Sequence, residues 1–568
     1  LRAKSAEKRK RRAAVLEVIV FSLFVTVIML TAYGERSPLA FHMTQNVKEH
    51  IMGGENNIPD ITDIPSFWEW VEGNLIPATH SEEWYNGETS VDDSVLPDML
   101  THQLGTIQLR QVRLPPGKLC HTAEKLQTLL PRCTTGFSNL NADTTDYIED
   151  WVPHNDSFNY NYTEPVVCQP NGECLLGNTT WKYTFTSLSD SFPYFLKHGT
   201  YLSGGYATTL GRTQGGSEAM ATFLQQHNWL DERTRAVFVE LILYNPHANL
   251  FSVVTIVVEF TQLGAAFTTG DIVSLRLIQQ DAILLLVLRV LMAIFLVFFA
   301  VKQVKGILAR PIQYLSEFWS WVELLVVVVG FSTLGVYFKA QFIIDETADQ
   351  RASPVFELYK SAVNWYGVYT YLLGFLICCV TLKFIQLLRF NSHVLSLSMT
   401  LRNSFKPVVQ FCVIAGIVLM GFTQMGNLLF GTKLQGYEDI LSSLASLCTM
   451  MLGAFDFDAI VEGHRTLGPL MFFSYQVMMQ FILLSMFMTI VMDVYAEESQ
   501  DPNTDDLRLV SFIRDTTSGA VGKASRTLST ARERKSNKTT AEVQTPDPNK
   551  NQGKIACMLW ELNDPKII

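Results

Sequence analysis

The chain has 568 residues, 48% of them hydrophobic and 17% charged, with a formal net charge of −10. That is too apolar for a wholly water-soluble protein and fits one divided between water and a lipid bilayer. Nothing in the charge balance calls for nucleic acid as a partner, and no nucleophile–base constellation or metal-ligand cluster points to an enzyme.

Six segments of roughly 20 apolar residues reach the length needed to cross a bilayer. They lie near 13–33, 282–301, 318–338, 366–388, 408–430 and 469–494. The expected division is a basic segment 1–12, a first spanning helix 13–33, an aqueous domain 34–280, helices two to four with their linker 281–406, a pore domain 407–496 and a tail 497–568. The tail is rich in Ser, Thr, Lys and Asp, which predicts disorder. A calcium-loop beginning at Asp501, Asn503 and Asp505 fails where Asp506 replaces the required Gly and Phe512 the bidentate Glu. The sequence starts at Leu1 and reads as a fragment or a processed chain.

Basic residues set the expected orientation. Arg2, Lys4, Lys8, Arg9, Lys10, Arg11 and Arg12 precede the first helix, Lys302, Lys305 and Arg310 follow the second, and Arg389, Arg402 and Lys406 lie between the fourth and fifth. The loop after the third helix is acidic, with Asp345, Glu346, Asp349 and Glu357. Both termini are expected in the cytoplasm, the first helix acting as a signal anchor, and 34–280 outside. That domain holds 28 acids against 13 bases, a balance of −15 that enriches cations over short range.

Four of the nine cysteines, Cys120, Cys133, Cys168 and Cys174, fall in this domain, where an oxidising compartment favours disulfides. Three pairings are possible, and closeness in sequence favours Cys120–Cys133 with Cys168–Cys174. Glycosylation sequons at Asn155, Asn161 and Asn178 cluster in the same region. Gly204-Gly205 predicts a tight turn and Glu218 to His227 a helix. The β-branched runs 236–244 and 251–258, broken by Asn245-Pro246-His247, predict a hairpin, so the domain is α+β.

Charges within the spanning segments need explanation. Glu323 and Lys383 lie about five residues from the cytoplasmic ends of their helices, hence at similar depth, and are expected to pair. Arg289 lies mid-helix in the second segment, and no partner at matching depth is visible. The fourth helix carries Lys383 and then only Arg389, with Gln386 where another base could stand, which argues against strong voltage dependence. Last, the short amphipathic segment Tyr437 to Met451 and the turn Leu452-Gly453-Ala454-Phe455-Asp456 lie between two spanning helices. Backbone leaves helical geometry at membrane depth only where it lines water or is buried in protein, so this spacing predicts an ion pore.

Several longer stretches carry a family likeness: 201–206 (YLSGGY), 229–238 (WLDERTRAVF), 243–245, 249–251, 319–323 (WSWVE), 382–391 (LKFIQLLRFN), 427–432, 467–469 and 481–487. Over roughly residues 1–496 the chain resembles the polycystins. The resemblance implies an all-α six-helix membrane channel module, with a four-helix voltage-sensor-like domain and a pore hairpin. An α+β extracellular polycystin domain is inserted between helices one and two, and four subunits surround one axis. It implies a selectivity filter at Leu452, Gly453, Ala454 and Asp456, with Gly453 as the filter glycine. The family's filter carboxylate falls on Ala454, and the nearest acids are Asp456 and Asp458. Met488 and Met492 match the positions of the cytoplasmic gate.

The altered filter and the missing calcium loop resemble a polycystin-1-like member. The expected function is a pore-lining subunit of a nonselective cation channel at the cell surface or ciliary membrane. It would pass sodium, potassium and, where the filter admits it, calcium, without a cofactor. The expected partners are the bilayer and polycystin-2-like subunits in a heterotetramer, with a homotetramer as the alternative. The competing reading is a receptor or adhesion-type subunit whose six helices scaffold a channel without conducting.

Overall fold

The computed structural model describes residues 2–53, 61–81, 95–116, 125, 135–154, 166–168, 174–176, 180–185, 192–277, 282–309, 311, 318–349, 355–387 and 392–500. Contacts divide the chain into two units, one of residues 13–384 and one of 1–12 with 385–568. Among the described residues six helices are long and apolar enough to cross a membrane. Each outlasts its apolar run, because backbone hydrogen bonding continues past the point where hydropathy falls. Helix α1, for instance, spans Arg2–Glu35.

After α1 come α2 (Leu39–Met52), α3 (Ile64–Trp70) and, through a π-helical turn, α4 (Ile76–Thr79). Asp63 caps α3 by accepting from Ser66 N at 2.9 Å. The strands are β1 (His102–Arg113), β2 (Tyr147–Ile148), β3 (Val152–Pro153), β4 (Val166–Cys168), β5 (Cys174–Leu176), β6 (Tyr183–Thr184), β7 (Tyr194–Phe195), β8 (Thr200–Tyr201), β9 (Gly205–Thr209), β10 (Thr234–Asn245), β11 (Leu250–Phe260) and β12 (Ala266–Leu275), with α5 (Gln214–Gln226) between β9 and β10. Six of them form one antiparallel sheet in the order β12-β11-β10-β1-β9-β6. The expected hairpin is β10–β11 and the expected helix is α5.

Gly204-Gly205 is not the tight turn the sequence predicts. Gly205 opens β9, and a Cβ there would meet the Gln111 carbonyl oxygen at 2.6 Å. The glycine serves close approach of two strands rather than chain reversal.

The long strands β10 and β11 are covered on both faces, which is why they read as near-continuous apolar runs. Alternation still sorts their side chains. Val237, Val239, Leu241 and Leu243, with Val254, Ile256 and Val258, enter the main core beneath α2, α3 and α5, alongside Trp68, Trp229 and Leu224. The alternate residues Ile242, Phe251 and Val253 pack instead on Ile344, Phe356, Ala362 and Val363. Those belong to helices α7 (Phe318–Asp349) and α8 (Val355–Leu387), which follow α6 (Ala282–Ala309). Glu240 also faces this second side, paired with Arg110 at 2.8 Å, both side chains 3% exposed.

Residues 13–35 of α1 join α6, α7 and α8 as the other part of this unit. Phe21 and Phe24 interlock with Phe299, and Gly330 lets α7 approach Leu296 closely. Arg289 has a partner after all: its Nη2 pairs with Glu35 at 2.5 Å. The Glu35 carboxylate also accepts from Tyr369 Oη at 2.9 Å and Tyr366 Oη at 3.4 Å, and the guanidinium lies 3.8 Å over the Tyr337 ring. Sequence reading overlooked Glu35 because it lies beyond the apolar run that marks the first span. Toward the other end of the helices, Lys383 Nζ is 2.8 Å from Glu323, which also accepts from Gln303 Nε2 at 3.0 Å. The Lys383 ammonium lies against the rings of Phe21 and Phe299.

Both pairs are shielded from water, so removing one partner leaves an uncompensated charge, at about 3–5 kcal/mol. Glu323→Val is expected to lower the melting temperature of the detergent-solubilised chain and its delivery to the cell surface. The double change Glu323→Val with Lys383→Met should regain part of both. A double variant no better than the single one would show that the two side chains are not coupled.

Candidate ion pathway

The second unit holds α9 (Ser392–Phe430), α10 (Ile440–Met451), α11 (Phe457–Gly463), α12 (Leu467–Gln476), a π-helical stretch Val477–Leu483 and α13 (Leu484–Gln500). At about 18 Å, α10 is too short to cross a bilayer. Asp439 starts it, accepting from Ser442 N at 2.7 Å. These hydrogen bonds hold the Asp439 carboxyl below the usual carboxylate range.

Ser443, Leu447 and Met450, at i, i+4 and i+7, form the buried face of α10. They pack in a core with Phe430, Tyr437, Met471, Phe472 and Tyr475. Two further contacts fix its far end: Tyr475 Oη donates to Leu447 O at 2.6 Å, and Gln476 Nε2 to Met450 O at 3.5 Å. The short helix is thus held in place by α9 and α12.

The turn after α10 is closed by its own backbone. Gly453 N donates to Met450 O at 3.1 Å, and Ala454 N to Thr449 O at 3.0 Å. Gly453 has φ +94°, a conformation that favours glycine. The negative end of the α10 dipole therefore terminates at this turn. Leu452, Gly453, Ala454, Phe455 and Asp456 are all exposed on the single chain. Asp456 has a structural task that sequence reading missed: it caps α11, its Oδ1 accepting from Ala459 N at 3.0 Å. The signal was present as an Asp immediately before a short helical run. Asp458 is exposed in the first turn of that helix. Across the loop, Lys433 Nζ donates to Gly463 O at 2.7 Å.

Met488 and Met492 lie one turn apart on α13 and are 52% and 60% exposed on the single chain. Glu323 and Lys383 belong to the helix unit described above. Cys168 and Cys174 are register partners across β4 and β5, whereas Cys120, Cys133, Asn155, Asn161 and Asn178 lie outside the described residues, as do 501–568. Among the described residues no group of His, Cys, Asp and Glu is arranged to hold a metal ion.

Residues 57–278 match the Polycystin domain family, and residues 277–498 match the Polycystin cation channel family. The chain is 25% identical to Polycystin-2-like protein 1 of Homo sapiens over 528 residues, which is 90% of this chain and 62% of that protein. It is 23% identical to Polycystin-2-like protein 2 of Homo sapiens over 499 residues, 85% of this chain and 75% of the relative. It is 22% identical to Polycystin-1-like protein 3 of Mus musculus over 489 residues, 84% of this chain and 21% of the relative. The chain thus spans only part of each of these relatives. The two family matches adjoin and together run from 57 to 498, across the sheet-bearing domain and every described helix from α6 to α13. These are channel proteins rather than enzymes, and this chain belongs to the polycystin family.

Proposed function

We propose that this chain is a pore-lining subunit of a nonselective cation channel, with Leu452, Gly453, Ala454 and Asp456 at the filter and Met488 and Met492 at the gate. The observation that carries the reading is the non-helical turn at Gly453. It ends a helix too short to span, between two that do span, and presents a helix C-terminus and exposed carbonyl-bearing backbone. In lipid such backbone would be strongly disfavoured, and around a water-filled axis it attracts cations.

A single copy encloses no pathway, so several copies or relatives must meet around an axis. Ala454 supplies no carboxylate, and Asp456 already commits one oxygen to its cap. Polycystin-2-like partners would add the missing carboxylates. We therefore favour a heterotetramer in which this chain is the minority, polycystin-1-like subunit in the cell-surface or ciliary membrane, with both ends in the cytoplasm. Photobleaching of a tagged copy, with and without such a partner, tests this. One bleaching step that requires the partner supports the heteromer, and four steps with robust current from this chain alone overturn it.

The filter and gate assignments give separate expectations. Asp456→Asn should lower divalent block or permeability in whole-cell recording, whereas Asp458→Asn should change little. Equal effects from both, or none from either, would remove Asp456 from the filter. Met488→Asn or Met492→Asn should hydrate a narrow apolar ring and raise the resting current. Unchanged closure in both variants would assign these methionines to packing between helices.

A further inference from the structure

Helix α8 is held at three levels, and the outermost differs in kind. Near its inner end Lys383 has the Glu323 carboxylate, and in its middle Tyr366 and Tyr369 donate to Glu35. At its outer end Lys360, roughly 35 Å from Lys383 along the helix, reaches out of the helix onto the sheet. Its Nζ donates to Thr255 Oγ1 of β11 at 2.9 Å and lies 5.3 Å from the centroid of the Tyr194 ring.

Thr255 is the centre of a cross-strand row. It is the register partner of Glu240 on β10 and of Asp271 on β12. One of the two flanking carboxylates is taken, because Glu240 is already paired with Arg110 at 2.8 Å. Asp271 and Glu240 act on Lys360 through their fields, and Arg110 acts against it. The ammonium's hydrogen-bond partner is a neutral hydroxyl, with the Tyr194 ring beside it. With one ionised member instead of two, that hydrogen bond is weaker than the Lys383–Glu323 contact at the inner end. Around it Phe251 stacks on Tyr359 at 5.8 Å, and Phe356, Ala362 and Val363 seal the contact.

We propose that Lys360 is a releasable clasp, a positioning residue through which the polycystin domain holds the outer end of α8, and that the clasp opens when the channel opens. The inference rests on the reading of the chain as a conducting subunit. Forces applied to the β10–β12 edge of the sheet then bias α8 without any ligand reaching the pore. A clasp of this strength shifts an equilibrium without locking it.

The test uses the full chain in cells, with and without a polycystin-2-like partner. Lys360→Met and Thr255→Val should each raise the resting open fraction, by roughly tenfold or more for the loss of one charged hydrogen bond. Because they remove the same contact, the double variant should exceed neither single one by much, and Lys360→Arg should restore near-normal gating. Normal gating in Lys360→Met, or additive effects in the double variant, would overturn the clasp. If Thr255→Val fails to reach the surface, the Lys360 series decides the matter.

A cysteine pair, Thr255→Cys with Lys360→Cys, bridged by a short bifunctional methanethiosulfonate that spans the length of the lost lysine side chain, gives a readout independent of conduction. It should cross-link in resting membranes, suppress current and recover with a reducing agent. No cross-link, or a cross-link that leaves current unchanged, would also overturn the proposal. A chain that carries no current in any combination would remove the pore reading alone, and the clasp would then stand or fall on whether the cross-link forms.

Discussion

Burying a cation is costly without a counter-charge, and three buried cations with carboxylate partners fix much of the larger unit. Taking an ion from water into an apolar interior costs several kcal/mol unless a partner and further hydrogen bonds compensate. Arg110, Arg289 and Lys383 each have a carboxylate, on Glu240, Glu35 and Glu323, within 2.8 Å. In each case the partner lies far away in sequence. Arg110 ties β1 to β10, Arg289 ties α6 to the end of α1, and Lys383 ties α8 to α7. Apolar surfaces can slide over one another with little change in energy, whereas an ion pair with additional hydrogen bonds cannot. The aromatic core supplies most of the attraction, and the pairs select one arrangement from many that are similarly apolar.

The sheet follows from a similar economy. Strands β10 and β11 are buried on both faces, one against α2, α3 and α5 and the other against the ends of α7 and α8. A strand with only one covered face would present alternating polar residues to water. Here the second face is apolar except for the row through Glu240 and Thr255 and, farther along β11, the buried Glu259. The domain is therefore seated on the helices through the same strands that form its own core.

What the sequence disclosed follows the same physical lines. Runs of β-branched residues and a Pro-containing break exposed the β10–β11 hairpin, and long apolar runs exposed the six spanning helices among the described residues. Depth counting placed Glu323 and Lys383 at one level, and they lie 2.8 Å apart. The same counting failed for Arg289 because Glu35 is the last residue of α1, outside the hydrophobic run on which depth was measured. Gly204-Gly205 carried a turn signal, yet Gly205 serves strand proximity, and glycine spacing alone does not separate these uses. Asp456 was visible as an acid in the turn after α10, but its capping bond depends on where α11 begins, a boundary that local sequence marks poorly.

On the proposed reading of the turn as a filter, the capping bond bears on its selectivity. A carboxylate favours divalent over monovalent ions when both oxygens are free to face the axis. Asp456 has one oxygen directed to Ala459 N, at the N-terminus of α11, where the positive end of that helix partly offsets its charge. Ala454 contributes no charge at all. On the proposed reading, the negative potential at the turn comes chiefly from the C-terminus of α10 and from backbone carbonyls near Gly453. Such dipoles attract cations of either valence with little discrimination. A channel built from this chain alone should therefore be cation-conducting and weakly selective, and any strong preference for divalent ions must come from carboxylates contributed by another subunit.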